Sequence, residues 1–204
     1  MKKVLITGFL PFAGQSVNPS QILVERLATL PAFAGKIRTE ILPVSYQRAS
    51  DRVRQLLEMD EAIGAVLMFG LAQKRTKISL ERTAMNWIES GIADEDGEKP
   101  EPGAFSPGRQ LAYFNSLPLL EWVKELTVMG IPAEVSLSAG GYVCNATSYA
   151  VADLLSSDDL QRPSLFVHLP LFTDLAAAGA PSLSRALQEK AAEFLVTRML
   201  GSAS

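Results

Sequence analysis

The 204-residue sequence has one cysteine and one histidine. A single cysteine excludes an internal disulfide, so nothing asks for an oxidising compartment and a cytoplasmic location is the simpler expectation. The same inventory excludes a metal site built from several Cys and His ligands. There is no apolar run of the roughly 20 residues a membrane span needs. Basic residues are not in excess: 19 Lys and Arg stand against 22 Asp and Glu, a net charge of −3. That argues against nucleic acid as a partner, which calls for a basic face. Met1-Lys2-Lys3 before Val4-Leu5-Ile6 has the look of a signal peptide, but Thr7-Gly8 and Pro11 interrupt the apolar run. No secretory leader is expected from it.

What is present is ordinary globular material, 48% hydrophobic and 20% charged. Short β-branched runs at Val4–Thr7, Thr39–Val44, Ala65–Phe69, Ala133–Leu137 and Leu165–His168 predict strands. Helical spacing falls between them, over Pro19–Leu30, Ser45–Met59, Ser116–Met129, Asn145–Leu155 and Ser182–Leu200. Asn18 before Pro19 is a candidate N-cap. Alternating strands and helices predict an α/β fold: a single-domain three-layer α/β/α arrangement, residues 1–204, around a twisted, mostly parallel central sheet. The Pro- and Gly-rich stretch 94–108 reads as a long, lid-like loop, and its Asp94-Glu95-Asp96-Gly97 as a solvated turn rather than a calcium loop. Gly8 to Gly14 lacks the spacing of a phosphate loop.

Three residues can do chemistry. Cys144 follows Gly140-Gly141 where helical spacing resumes, so its thiol falls near a helix N-terminus. There the dipole and free N–H groups favour a thiolate and can hold an oxyanion. The alternative is a buried structural cysteine. His168 closes an apolar strand, and ligands of open α/β sheets bind at the carboxyl ends of strands. It can serve as a proton carrier or as a hydrogen-bonded strand-end histidine. Glu81, in an alternating, partly apolar stretch, can orient an imidazole or pair with Arg82 at the surface. Phe9, Phe12 and Tyr142 can converge on a flat, neutral ring or pack in the core.

Taken together, four spaced motifs resemble the pyroglutamyl peptidase I (pyrrolidone-carboxylate peptidase) family of cysteine peptidases. They are Thr7-Gly8-Phe9-x-Pro11-Phe12-x-Gly14 with Asn18-Pro19-Ser20, then Gly70-Leu71-Ala72 with Arg75, Ile78, Glu81-Arg82, Ala84 and Asn86. Ser138-Ala139-Gly140 with Val143-Cys144-Asn145 and Val167-His168-Leu169-Pro170 follow, with a smaller match at Ala112-Tyr113-Phe114 and Leu117-Pro118. The resemblance spans nearly the whole chain. It implies a catalytic triad of Cys144, His168 and Glu81, with Cys144 as a thiolate paired to protonated His168. It places Phe9, Phe12, Asn18, Leu71 and Tyr142 at the substrate. It implies peptides with N-terminal pyroglutamate as substrates, no cofactor, no membrane or nucleic-acid partner, and a homo-oligomer (dimer or tetramer). Ala13 and Lys74 stand where most members have glycine, Gly91 where many have arginine, Ala93 and Glu95 where Pro and Asn are usual, and Gln110 where Pro is usual. These departures lie around the site and keep open a diverged member that binds blocked N-termini with little turnover. A different small α/β enzyme, such as a nucleoside-processing one, is the other alternative.

Overall fold

The computed structural model describes residues 2–156 and 162–203. Strands β1 (Lys3–Phe9), β2 (Ile37–Leu42), β3 (Ile63–Leu71), β4 (Ile78–Glu81), β7 (Ala133–Ser136) and β8 (Ser164–Leu169) form one sheet in the order β2-β1-β3-β8-β4-β7. The pairs from β2 to β8 are parallel. β4 runs antiparallel to β8, and β7 is parallel to β4, so the β4–β7 edge is reversed. β5 (Thr83–Met85) and β6 (Ala112–Phe114) make a separate antiparallel ribbon. Helices α1 (Pro19–Ala28), α2 (Tyr46–Met59), α3 (Leu119–Val128), α4 (Val143–Ser156) and α5 (Arg185–Ser202) cover the sheet. Among the described residues, no helix is long and apolar enough to cross a membrane.

The two faces follow from the two-residue period of a strand. Val4 and Ile6 of β1, Leu67 and Phe69 of β3, and Leu165 and Val167 of β8 pack with α1, α3 and α5. Leu5, Val66, Met68 and Phe166 face the other way and pack with α2 and α4. All nine residues of β3 are buried, as a central strand between two helical layers must be. That parity positions the chemistry. Gly70 and His168 share a face with Met68 and Phe166, and Glu81 points opposite to Ile78 and Leu80. All three therefore meet the face on which α4 lies.

The expected strands and helices are all present, with shifted ends. Strand β2 stops at Leu42 because Pro43 has no N–H for the ladder. Asn18 caps α1, accepting the Ser20 N–H at 3.0 Å. Ser45 caps α2 instead of opening it, accepting the Arg48 N–H at 3.0 Å. Helix α3 starts at Leu119 rather than Ser116, since a residue preceding proline avoids helical backbone and Pro118 stands at the cap. Helix α4 starts two residues before the expected Asn145, which brings Cys144 into its first turn. Helix α5 starts at Arg185 rather than Ser182, behind the cap Ser184. The short strands β4, β5 and β6 had no counterpart among the predicted elements.

The acidic turn is solvated as expected at Glu95, Asp96 and Gly97, but not at Asp94. Asp94 is 6% exposed, and its carboxylate accepts N–H groups of Tyr46, Asp96 and Glu98 at 2.9, 3.0 and 2.9 Å. A carboxylate at the first residue of α2 also meets the positive end of the helix dipole. The stretch 94–108 is therefore pinned at its start.

Candidate active site

Glu81 ends β4 and His168 lies one residue from the end of β8, with Ser79 of β4 the cross-strand partner of His168. Glu81 lies two residues beyond Ser79 on the same face of the sheet, the diagonal neighbour of His168, and this brings the two side chains together. His168 Nδ1 lies 2.8 Å from Glu81 Oε1, and both residues are buried, at 4% and 3% exposure. Arg75, in the loop between β3 and β4, donates through Nη1 to the same Oε1 at 2.8 Å and through Nη2 to the Ser138 carbonyl at 3.1 Å. Oε2 of Glu81 is buried with no hydrogen-bond partner. Arg82 is not the partner of Glu81; its Nη1 donates to the Asn115 and Leu117 carbonyls.

Cys144 is the second residue of α4. Its sulfur sits over Gly70, the cross-strand partner of His168. A Cβ on Gly70 would come within 3.0 Å of that sulfur and 2.8 Å of Phe166 Cζ, so the bare glycine makes the room the thiol occupies. Gly141 serves similarly on the approach to the helix, where a Cβ would strike the Glu89 carbonyl oxygen at 2.4 Å. Asn145 fixes the first turn from the side: Oδ1 accepts the Met85 N–H at 3.0 Å, and Nδ2 donates to the Met85 and Trp87 carbonyls at 2.8 and 2.9 Å.

Burial decides the protonation states. It pushes the Cys144 thiol up to about 12, and the Glu81 charge adds to the rise, against its own backbone N–H and Arg75. It pushes His168 below its ordinary value, and the Glu81 carboxylate only partly opposes this. Burial also raises the Glu81 carboxyl, but the His168 hydrogen bond and the Arg75 charge outweigh it and hold the group below the usual carboxylate range. These shifts run towards a neutral thiol and a neutral imidazole beside an ionised carboxylate, against the expected thiolate–imidazolium pair, because burial disfavours each isolated charge.

Beside Cys144 lies a narrow apolar slot lined by Phe9, Phe12, Asn18, Val44, Leu71, Tyr142, Val143 and Cys144. All five residues expected at the substrate line it. Val44 and Val143 were not foreseen; nothing in an apolar residue's identity separates slot from core. Asn18 has work of its own: Oδ1 accepts from the Ser20 N–H and hydroxyl, and Nδ2 donates to the Leu10 carbonyl at 3.0 Å. The second Nδ2 hydrogen is what it can offer a ligand. Arg75, Gly70 and Asn145 all lay within the quoted motifs, but no local signal assigned them a task.

Comparison with known proteins agrees with this geometry. A family profile described as pyroglutamyl peptidase matches residues 2–197. The pyrrolidone-carboxylate peptidase of Halalkalibacterium halodurans is 39% identical over 85% of this chain and 86% of its own. That of Thermococcus onnurineus is 36% identical over 97% and 98%. The crystal structure of Bacillus amyloliquefaciens pyroglutamyl peptidase I superposes with a TM-score of 0.90 at 33% identity, covering 100% of this chain and 99% of that one. With a family match over nearly its full length and relatives of this similarity, the chain belongs to the pyroglutamyl peptidase family.

Proposed function

We propose that this chain is a cysteine exopeptidase that hydrolyses the amide bond after an N-terminal pyroglutamyl residue, with Cys144 as nucleophile, His168 as proton carrier and Glu81 as its orienter. The observation that carries this is the buried His168–Glu81 pair, 2.8 Å apart, on the sheet face where α4 presents Cys144 beside an apolar slot.

The slot takes the five-membered lactam between Phe9, Phe12, Leu71 and Tyr142. Its lining has no charged side chain. A free N-terminal ammonium would lose its hydration there without a counter-charge, so unblocked glutaminyl peptides are rejected. Because burial favours the neutral thiol, attack is general-base catalysed. The sulfur bonds to the pyroglutamyl carbonyl carbon as its proton passes to Nε2 of His168. Glu81 accepts the Nδ1–H, which holds the tautomer with Nε2 free and stabilises the imidazolium as it forms. N–H groups of the first turn of α4 receive the oxyanion. His168 then gives its proton to the amine as the C–N bond breaks, leaving a thioester. Water, losing a proton to His168, attacks the thioester; pyroglutamate leaves and the thiol is restored.

The test is release of a fluorescent amine from a pyroglutamyl-arylamide, under reducing conditions, by wild type and Cys144→Ala. Loss of about 10³-fold or more in the variant is expected. Near-native turnover by Cys144→Ala, or comparable cleavage of a glutaminyl-arylamide, would overturn the assignment. A folded but inert wild type would point to a diverged binder of blocked N-termini. The reading extends to one catalytic domain, a cytoplasmic setting and a homo-oligomer, the last tested by light scattering.

A further inference from the structure

The walls of the ring slot are not self-supporting. Phe12 lies in the loop between β1 and α1, and the next residue, Ala13, has φ of 50°, a left-handed conformation that a residue with a Cβ adopts only when held there. Its N–H donates to Glu95 Oε1 at 3.1 Å, 82 residues away in sequence. The same short segment reaches two other walls. The Glu95 N–H donates to the Val44 carbonyl at 3.0 Å, and the Tyr142 hydroxyl donates to the Ala93 carbonyl at 2.9 Å. Asp94, between them, is buried against the start of α2. Residues 93–95 thus form a strap with bonds to Ala13, Val44 and Tyr142. The Phe12 and Tyr142 rings face each other across 6.2 Å where the strap joins them.

In two of the three ties the strap contributes only backbone, the Glu95 N–H to Val44 and the Ala93 carbonyl to the Tyr142 hydroxyl. Only the tie to Ala13 depends on an exposed side chain of the strap, that of Glu95. We infer that Glu95 is a positioning residue for substrate: by holding the Ala13 N–H it keeps Phe12 closed over the lactam ring and so sets affinity for the pyroglutamyl group. This rests on the peptidase reading above and deepens it. The ring touches the Phe12 wall in ground state and transition state alike. Loosening that wall therefore raises KM and leaves kcat unchanged.

The experiment compares wild type, Glu95→Ala and Glu95→Gln. KM and kcat are read on a pyroglutamyl-arylamide, and the Kd of 5-oxoproline, the product, by calorimetry. In Glu95→Ala, KM and Kd are expected to rise together, roughly three- to ten-fold, the worth of one surface hydrogen bond, with kcat unchanged and the melting temperature lower by no more than about 4 °C. Glu95→Gln, whose amide oxygen accepts the same N–H, is expected within about two-fold of wild type. Unchanged KM and Kd in Glu95→Ala, a fall in kcat that matches the fall in kcat/KM, or Glu95→Gln as impaired as Glu95→Ala would each overturn the inference. So would failure of wild type to bind 5-oxoproline. Absence of turnover alongside intact 5-oxoproline binding would strike the peptidase reading alone, since the Kd ratio still decides the role of Glu95.

Discussion

Replacing Glu81 with glutamine separates two things its carboxylate does. Oε1 accepts from both His168 Nδ1 and Arg75 Nη1, each at 2.8 Å. Arg75 is always a donor, so in Glu81→Gln it selects the rotamer that keeps the amide oxygen at the shared position. The His168 tautomer then survives and only the charge is lost. A unit charge about 4 Å from the forming imidazolium is worth about 4 kcal/mol at an effective dielectric of 20. The neutral amide returns roughly 1 kcal/mol as a hydrogen bond. The net loss, about 3 kcal/mol, corresponds to roughly 10²-fold in kcat. That is well short of the ~10⁴-fold seen where a triad carboxylate is replaced by an amide that inverts the tautomer. The new amide NH₂ would take the place of Oε2, which is buried and unpartnered. An unpaired buried donor costs about 2 kcal/mol, hence roughly 4–8 °C in Tm. The assay is steady-state turnover of a pyroglutamyl-arylamide with scanning calorimetry alongside. A loss in Glu81→Gln as deep as in Cys144→Ala, or a loss below tenfold, would refute the role given to Arg75 and the charge.

Two further outcomes follow from the site. His168 and Glu81 both have folded-state pKa values held below their ordinary ones, so the unfolded chain binds more protons on acidification and stability falls as pH drops, first below the ordinary histidine range and then below the carboxylate range. The Cys144 thiol is raised to about 12, so its contribution is full below the ordinary thiol range and is lost as pH rises from there towards 12. Denaturant midpoints across pH check both signs, and Cys144→Ala should lessen the alkaline fall, the remainder coming from Tyr142 and Tyr149, which burial also raises to about 12, while leaving the acid fall unchanged. Gly70→Ala, whose Cβ would lie 3.0 Å from the Cys144 sulfur and 2.8 Å from Phe166, is expected to lower kcat/KM at least tenfold and to cost about 1–3 kcal/mol of stability; unchanged turnover and Tm would show that the sulfur has room to move.

The apolar runs and caps in the chain were enough to predict an α/β fold with helices on both faces of its sheet. The hydrophobic period is a local property, and the Asn18 cap acts within two residues. The candidates for chemistry were equally legible, since one cysteine and one histidine leave no choice and spaced motifs supply Glu81. Strands β4, β5 and β6 were not. β4 spans Ile78–Glu81 with no Gly or Pro beside it to bound a run, unlike the equally short β7 behind Gly130 and Pro132, and its reversal beside β8 is a matter of sheet pairing. The direction in which the fold shifts the thiol and the imidazole was not legible, for a similar reason. A helix terminus near Cys144 is visible in sequence, whereas the desolvation that overrides it comes from neighbours brought in by the fold. Arg75 on Glu81 and Glu95 on Ala13 belong to the same class. Residue identity settled which groups this protein can use, and the local pattern put His168 at a strand end and Cys144 near a helix start. Charge, tautomer and the width of the slot depend on distances between residues far apart in the chain, and those exist only once the sheet has closed and the loops have packed across its edge.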